Sequence, residues 1–292
     1  MTKHDIFFRY KDITLSNQVF ESGELIQIDA EKNLDKILAV DRLSIKNIII
    51  VGAWRGNEVA SFLRFKDATI YCFEPNEFNF KHLEDRWKGN ERVICFRAAC
   101  ASFDGESELN EASLTGNDSL LQISSSSTTG LKLVKVHKIK TVRLDSVKEL
   151  QGKKIDLLWA DTQGYEREVL SGATELLKQT KALFLEVYKT NMDYVGGVPQ
   201  DELTSFLKER NFYLAAEGID KKNIGGNALY LKNDIKTRAF HHDVYERRIK
   251  NSLKDVAMKK RLLKSRTIQK LVTFMPIRVK TLIKRVVFKL SR

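Results

Sequence analysis

The stretch IDLLWADTQGYEREVLSGATELL, residues 155–177, decides the fold. Ile155, Leu157, Leu158, Trp159 and Ala160 are too uniformly apolar for a strand with one wet face. They fit a strand of a parallel sheet covered on both sides. The run stops at Asp161. Gly164 permits a tight turn, and EREVLSGATELL then has the apolar spacing of a helix. Ligands of open parallel sheets bind outside the carboxyl ends of the strands, so Asp161, Gln163 and Glu166 are expected at a ligand site.

Working outward, four more apolar runs end in polar or glycine-rich turns: NIIIVGAWRG (47–56), TIYCFEP (69–75), ERVICFRAA (91–99) and ALFLEVY (182–188). Between them NEVASFLRF and EFNFKHLEDRWK have helical spacing, and this alternation predicts a doubly wound α/β sheet. Gly52 and Gly56 are expected to leave backbone N–H groups free to approach a ligand. Glu74, ending the next strand, is placed to accept hydrogen bonds from both hydroxyls of a ribose. The GxGxxG of nicotinamide and flavin sites is missing, which argues against a dehydrogenase.

The ordered set IIIVGAWRG, IYCFEPNEFNFKHL, AACASFDGESEL, GNDSLL, VRLDSV, IDLLWADTQGYEREVLSGA and LFLEVYKTNMDY resembles the FkbM-type S-adenosylmethionine-dependent methyltransferases over roughly residues 45–232. The resemblance implies a class I methyltransferase fold, Rossmann-like, with seven strands of which the last is antiparallel. FYLAAEG (212–218) and NALYLKN (227–233) suit the final two strands. It also implies S-adenosylmethionine as cofactor and methylation of a hydroxyl, often on a sugar of a glycan, glycolipid or antibiotic. By position, Gly52, Ala53 and Gly56 would cradle the methionine part of the cofactor, Glu74 the ribose, and Ala98 to Ala101, Ala99 among them, the adenine, with Pro75 a further cofactor contact. Asp161 and Glu166 match the acids of the family's D-x-x-G-x-E segment. The chain departs from the family at Ile50 and Trp54, where an acid and an asparagine are usual, so another acid such as Asp161 would have to meet the cofactor's ammonium group.

Methyl transfer to a hydroxyl needs the reactants held in line and a group to take the proton. Asp161, Glu166 and Glu186 are the candidate bases, with Asp161 first because its strand end lies beside the glycine strand. The competing reading makes Asp161 and Glu166 caps of the following helix, since acids are favoured in a first turn regardless of function. Glu186 can equally be structural, turned to a backbone donor.

Other chemistries find little support. Cys72, Cys95 and Cys100 lack paired metal spacing and read as buried free thiols of a reducing compartment. The five histidines show no zinc spacing, and no metal is expected. His137 lies in the alternating segment LKLVKVHKIKTVRL (131–144), a strand or hairpin, where it reads as a surface histidine. The preceding SSSSTTG (124–130) reads as a flexible loop, with closure over an acceptor as the alternative.

Charge divides the chain. Residues 241–292 hold 16 Lys/Arg against 3 Asp/Glu, whereas the preceding 240 hold 34 against 35. We therefore divide it into an N-terminal helical extension (1–44), a methyltransferase domain (45–235) and a basic helical tail (236–292). Within residues 277–292, Val279, Leu282, Ile283, Val286, Val287 and Leu290 share one helical face. Arg278, Lys280, Lys284, Arg285, Lys289 and Arg292 share the other. This pattern predicts a helix lying on an anionic membrane surface. Protein contact and RNA binding are the rivals, and the chain lacks both an NPPY-type motif and aromatics interleaved with the basic residues, which argues against nucleic acid. With no apolar span and no signal-peptide core, a cytoplasmic protein is expected, peripheral on the membrane's inner face. An RNA methyltransferase and an inactive membrane scaffold are the alternative functions.

Overall fold

The structure, a computed structural model, describes residues 5–8, 26–29, 45–125, 127, 129–189, 193–219 and 225–233. Seven strands form the main sheet: β3 (Asn47–Val51), β4 (Thr69–Phe73), β5 (Val93–Phe96), β9 (Ile155–Ala160), β10 (Thr180–Tyr188), β11 (Phe212–Ile219) and β12 (Gly225–Lys232). Their order is β11-β12-β10-β9-β3-β4-β5. β12 runs antiparallel to both of its neighbours, and β3, β4, β5, β9 and β10 pair in parallel. This is the sheet expected of a class I methyltransferase, with its last strand reversed.

The apolar runs are continuous because both faces are covered. Every residue of β9 is buried. On one face Ile49, Val51, Tyr71, Phe73, Leu158, Ala160, Leu183 and Leu185 pack with Val169 and Leu170 of helix α3 (Glu166–Ser171) and with Leu176 and Leu177 of helix α4 (Thr174–Lys178). On the other, Trp159 meets Phe62 of helix α1 (Asn57–Phe62) edge-on at 5.7 Å and Phe184 at 4.3 Å. Burying each such side chain is worth about 1.5–3 kcal/mol, so packing on both faces dominates the local preferences of these strands.

One buried acid interrupts the apolar strand. Asp156 is 2% exposed and accepts the backbone N–H of Lys46 at 2.7 Å and of Asn47 at 3.1 Å, while Lys181 Nζ lies 2.5 Å away. Two amides and an ammonium compensate its desolvation.

A smaller sheet stands beside the main one, in the order β6 (Ala99–Cys100), β8 (Leu133–Val142), β7 (Gly105–Ala112). Its long antiparallel pair sets Glu106 opposite Lys140 and Glu108 opposite Lys138, favourable cross-strand partners. The alternating segment is thus one strand, paired along its length with β7 and at its carboxyl end with β6. His137 is half-buried with Nε2 2.6 Å from Glu111 Oε2, so it is more enclosed than a surface histidine. In the serine-rich segment, Ser124 N–H donates to the Asp193 carbonyl at 2.7 Å and Thr129 Oγ1 donates to Asp193 Oδ2 at 2.6 Å, which ties its ends to residue 193.

The N-terminal region corrects an expectation. Within the expected helical extension (1–44), residues 26–29 instead form strand β2 (Ile26–Asp29), antiparallel to β1 (Asp5–Phe8). The alternation in Ile26-Gln-Ile28-Asp has a period of two, and β-branched residues favour strands. The rest of the extension and the basic tail, with its membrane helix at 277–292, lie outside the described residues.

Candidate active site

The parallel strands point their carboxyl ends at one cleft, open to solvent. Its wall includes Gly52 after β3, Glu74 and Pro75 after β4, Ala98 and Ala99 beyond β5, and Asp161 after β9. The turn that joins β7 to the following chain adds Gly116, Asp118 and Ser119.

Glu74 is 5% exposed, and its carboxylate is gripped from two sides. The backbone N–H of Trp54 donates to Oε2 at 2.8 Å and that of Asn76 to Oε1 at 2.9 Å. Burial pushes the carboxyl up to about 8 against these two donors, which act to lower it. Asn76 also caps helix α2 (Glu77–Trp87), its Oδ1 accepting from Phe78 N–H at 3.0 Å, which fixes where the chain turns after Glu74.

The glycine loop differs from expectation in where its amides go. Gly52 and Ala53 N–H both donate to the Phe73 carbonyl at 3.0 Å, and Gly56 N–H donates to the Ala53 carbonyl at 2.8 Å. These groups are already paired within the backbone and are not free for a ligand. The glycines answer to close packing instead. A Cβ on Gly52 would sit 2.0 Å from the Asp161 carbonyl oxygen, and one on Gly56 would sit 2.5 Å from Trp87 Nε1. Gly52 still lines the cleft, whereas Gly56 and the fully buried Ala53 lie behind its wall. Trp54 (φ 45°) and Gln163 (φ 57°) hold left-handed backbone without being glycine, a strain of about 1–3 kcal/mol each that clusters at ligand sites. Both line the cleft.

Of the three candidate bases, the structure puts one on the wall. Asp161 faces the cleft, and its Oδ1 accepts from Gln163 Nε2 at 2.5 Å. Glu166 is 4% exposed, with Oε1 accepting from Thr162 N–H at 2.8 Å and Thr162 Oγ1 at 3.0 Å, so it closes the turn from Asp161 to helix α3. Burial pushes its carboxyl up to about 7. Glu186 lies one residue past the last pair in register, Leu185 with Ala160, and its side chain is hydrogen-bonded to that of Asp161. Its Oε2 is enclosed and has no hydrogen-bond partner among the described residues, in contrast to the backbone donor considered for it. Burial, then the charges of Asp161 and Glu166, push Glu186 well above the carboxylate range. A carboxyl kept neutral and off the wall is poorly suited to accept a substrate proton.

Several wall residues escaped the sequence reading. Asp118 accepts from Asn76 Nδ2 at 2.8 Å and from Ala112 N–H at 3.1 Å, and Ser119 Oγ donates to the Gln163 carbonyl at 3.0 Å. The GNDSLL segment was their one visible signal. Cys72, Cys95 and Cys100 are free thiols, with Cys72 opposite Cys95 in register, and Cys100 touches the cleft. Among the described residues, no group of three or more His, Cys, Asp or Glu could hold a metal ion.

A model of the methyltransferase FkbM domain matches residues 51–214. The 2-O-methyltransferase NoeI of Sinorhizobium fredii (strain NBRC 101917 / NGR234) is 26% identical over 190 residues, covering 59% of this chain and 76% of that protein. Among solved structures, magnesium protoporphyrin IX methyltransferase (ChlM) from Synechocystis PCC 6803 with bound SAM aligns at a TM-score of 0.41. Identity there is 10%, over 70% of this chain and 78% of that one. The N-terminal domain of EvdMO1 with SAH bound aligns at 0.42 with 8% identity, over 70% and 80%. The chain belongs to the methyltransferase FkbM domain family and is an S-adenosylmethionine-dependent methyltransferase.

Proposed function

We propose that the protein methylates a hydroxyl of a carbohydrate acceptor, in a glycan, a glycolipid or a related cell-surface or secondary-metabolite molecule. The observation that carries this reading is Asp161, a carboxylate on the cleft wall, beside the glycine loop and across from Glu74. The likeness to a 2-O-methyltransferase supports oxygen as the accepting atom.

The residues present suit the cofactor. Glu74 would accept from the ribose hydroxyls, Pro75 and Ala98 to Ala101 would supply an apolar surface for the adenine, and Asp161 would meet the positive end. S-adenosylmethionine supplies an electrophilic methyl group. The chain's own residues hold the two reactants together, and such positioning is worth about 7–11 kcal/mol in well-oriented systems. Asp161 takes the hydroxyl proton, a contribution of about 10²- to 10⁴-fold. Glu166 and Glu186 shape and support that carboxylate.

Incubating the protein with methyl-labelled S-adenosylmethionine and fractionated cell-envelope glycans tests donor and acceptor together. Label in an oxygen-linked methyl of a sugar is the expected result, and label in RNA alone would overturn the acceptor class.

We also infer from the sequence that residues 277–292 bring the enzyme to an anionic membrane on its cytoplasmic face. Among the described residues no helix is long and apolar enough to cross a membrane. Replacing Lys280, Lys284, Arg285 and Lys289 with glutamine should remove most sedimentation with anionic vesicles, each charge being worth about 1 kcal/mol near the surface. Undiminished sedimentation of that variant would overturn the electrostatic contact.

A further inference from the structure

Trp54 lines the cleft, and its indole Nε1 atom is enclosed without a hydrogen-bond partner among the described residues. An indole N–H can only donate, and leaving it unpaired in the interior costs about as much as a lost hydrogen bond. The protein nevertheless holds the ring firmly. The Arg55 guanidinium lies over it, 5.0 Å from the ring centroid, and the Trp54 backbone is anchored to Glu74. Gly116 borders the nitrogen, its Cβ position 3.8 Å from Nε1, and being glycine it keeps that side of the indole free of a side chain.

Three side-chain donors on the same wall are spent on protein acceptors: Thr162 on Glu166, Gln163 on Asp161, and Ser119 on the Gln163 carbonyl. Among the described residues the wall carries no lysine or arginine. Its acids, Glu74 and Asp161, suit the hydroxyls and the positive charge of the cofactor, and an acid cannot receive the cofactor's one anionic group, the carboxylate of its methionine part. That group needs a donor.

We propose that Trp54 is a cofactor-binding residue whose Nε1–H donates to that carboxylate. The proposal rests on the placement of S-adenosylmethionine in this cleft. It gives Trp54 a purpose for its left-handed backbone and its buried, unpaired nitrogen together.

The test titrates two ligands into the full chain by calorimetry: S-adenosylhomocysteine, and 5′-methylthioadenosine, which keeps the nucleoside and lacks the amino acid. Trp54→Phe should bind S-adenosylhomocysteine at least tenfold more weakly than the wild type and bind 5′-methylthioadenosine equally well. Equal affinity for S-adenosylhomocysteine, or an equal loss for both ligands, overturns the assignment. A wild type that binds neither ligand overturns the cofactor placement itself. Should Trp54→Phe fail to fold, the indole Nε1–H resonance of Trp54 in wild-type protein decides. It is assigned among the three tryptophans with Trp87→Phe and Trp159→Phe. A shift with S-adenosylhomocysteine and none with 5′-methylthioadenosine supports the contact, and no shift with either overturns it.

Discussion

Asp156 and Asp161 stand at opposite ends of strand β9, and the protein treats them in opposite ways. Asp156, at the amino end, is enclosed and fully answered by two backbone amides and Lys181. Asp161, at the carboxyl end, lines the cleft and is held on one oxygen by the Gln163 amide. Both are acids on one strand of one sheet. The difference teaches that function follows from bonding capacity left over after folding, and in a parallel sheet the carboxyl ends are where that surplus collects.

The comparison breaks first at the amino end. Asp156→Ala strips the partner from Lys181 and leaves two inward N–H groups unanswered. Losing one member of a buried pair costs about 3–5 kcal/mol, and the lower figure applies because Lys181 is 32% exposed. Urea unfolding should show the loss, with affinity for S-adenosylhomocysteine unchanged in the folded fraction.

At the carboxyl end the expected effects move to binding. Glu74→Ala removes charge-assisted acceptors worth about 1.5–3 kcal/mol to a bound ribose, so affinity for S-adenosylhomocysteine should fall about ten- to a hundredfold. Its melting temperature should fall less than that of Asp156→Ala, because the loss of a desolvated carboxyl offsets part of the cost of leaving the Trp54 and Asn76 N–H groups unanswered. A stability loss like that of Asp156→Ala would erase the contrast between the two ends.

A smaller effect appears in pH dependence. Burial raises Glu74 in the fold from 4.5 to about 8, so the fold favours its neutral form. The corresponding stability is present below about pH 4.5 and is lost as pH rises through about 8. Glu166, raised to about 7, acts in the same direction. Thermal melting of the ligand-free protein should therefore fall over this range, less steeply in Glu74→Gln than in the wild type. If the ribose hydroxyls select the ionised carboxylate, binding at pH 7 releases a proton. The binding enthalpy should then vary with buffer ionisation enthalpy in the wild type and lose that dependence in Glu74→Gln.

The sheet was legible because its strands are buried on both faces and their apolar runs survive as continuous stretches such as NIIIV and IDLLWA. Glu74 and Asp161 were legible for a related reason, being the first polar residues where those runs stop. Asp156 was invisible as a structural acid because its partners come from Lys46, Asn47 and Lys181, far away in the chain. The glycines were read for ligand approach, yet the close neighbours that exclude a side chain are the Asp161 carbonyl and Trp87, contacts with no local signature. β2 was read as part of a helical extension because four residues hold too few repeats to separate a period of two from one of 3.6. The Gly116 to Ser119 turn reaches the cleft only through tertiary folding, which leaves its role unreadable from spacing alone.

On the proposed mechanism Asp161 acts in the reaction, whereas Asp156 acts in folding. The direct measurement is the methyl-transfer rate of Asp161→Asn, with its melting temperature beside it. Asparagine keeps the shape and loses the charge and the proton-accepting oxygen, so the rate should fall about 10²- to 10⁴-fold with little change in melting. Full turnover, or a large drop in melting temperature with cofactor affinity intact, would contradict the account and make Asp161 a structural acid like its counterpart at the other end of β9.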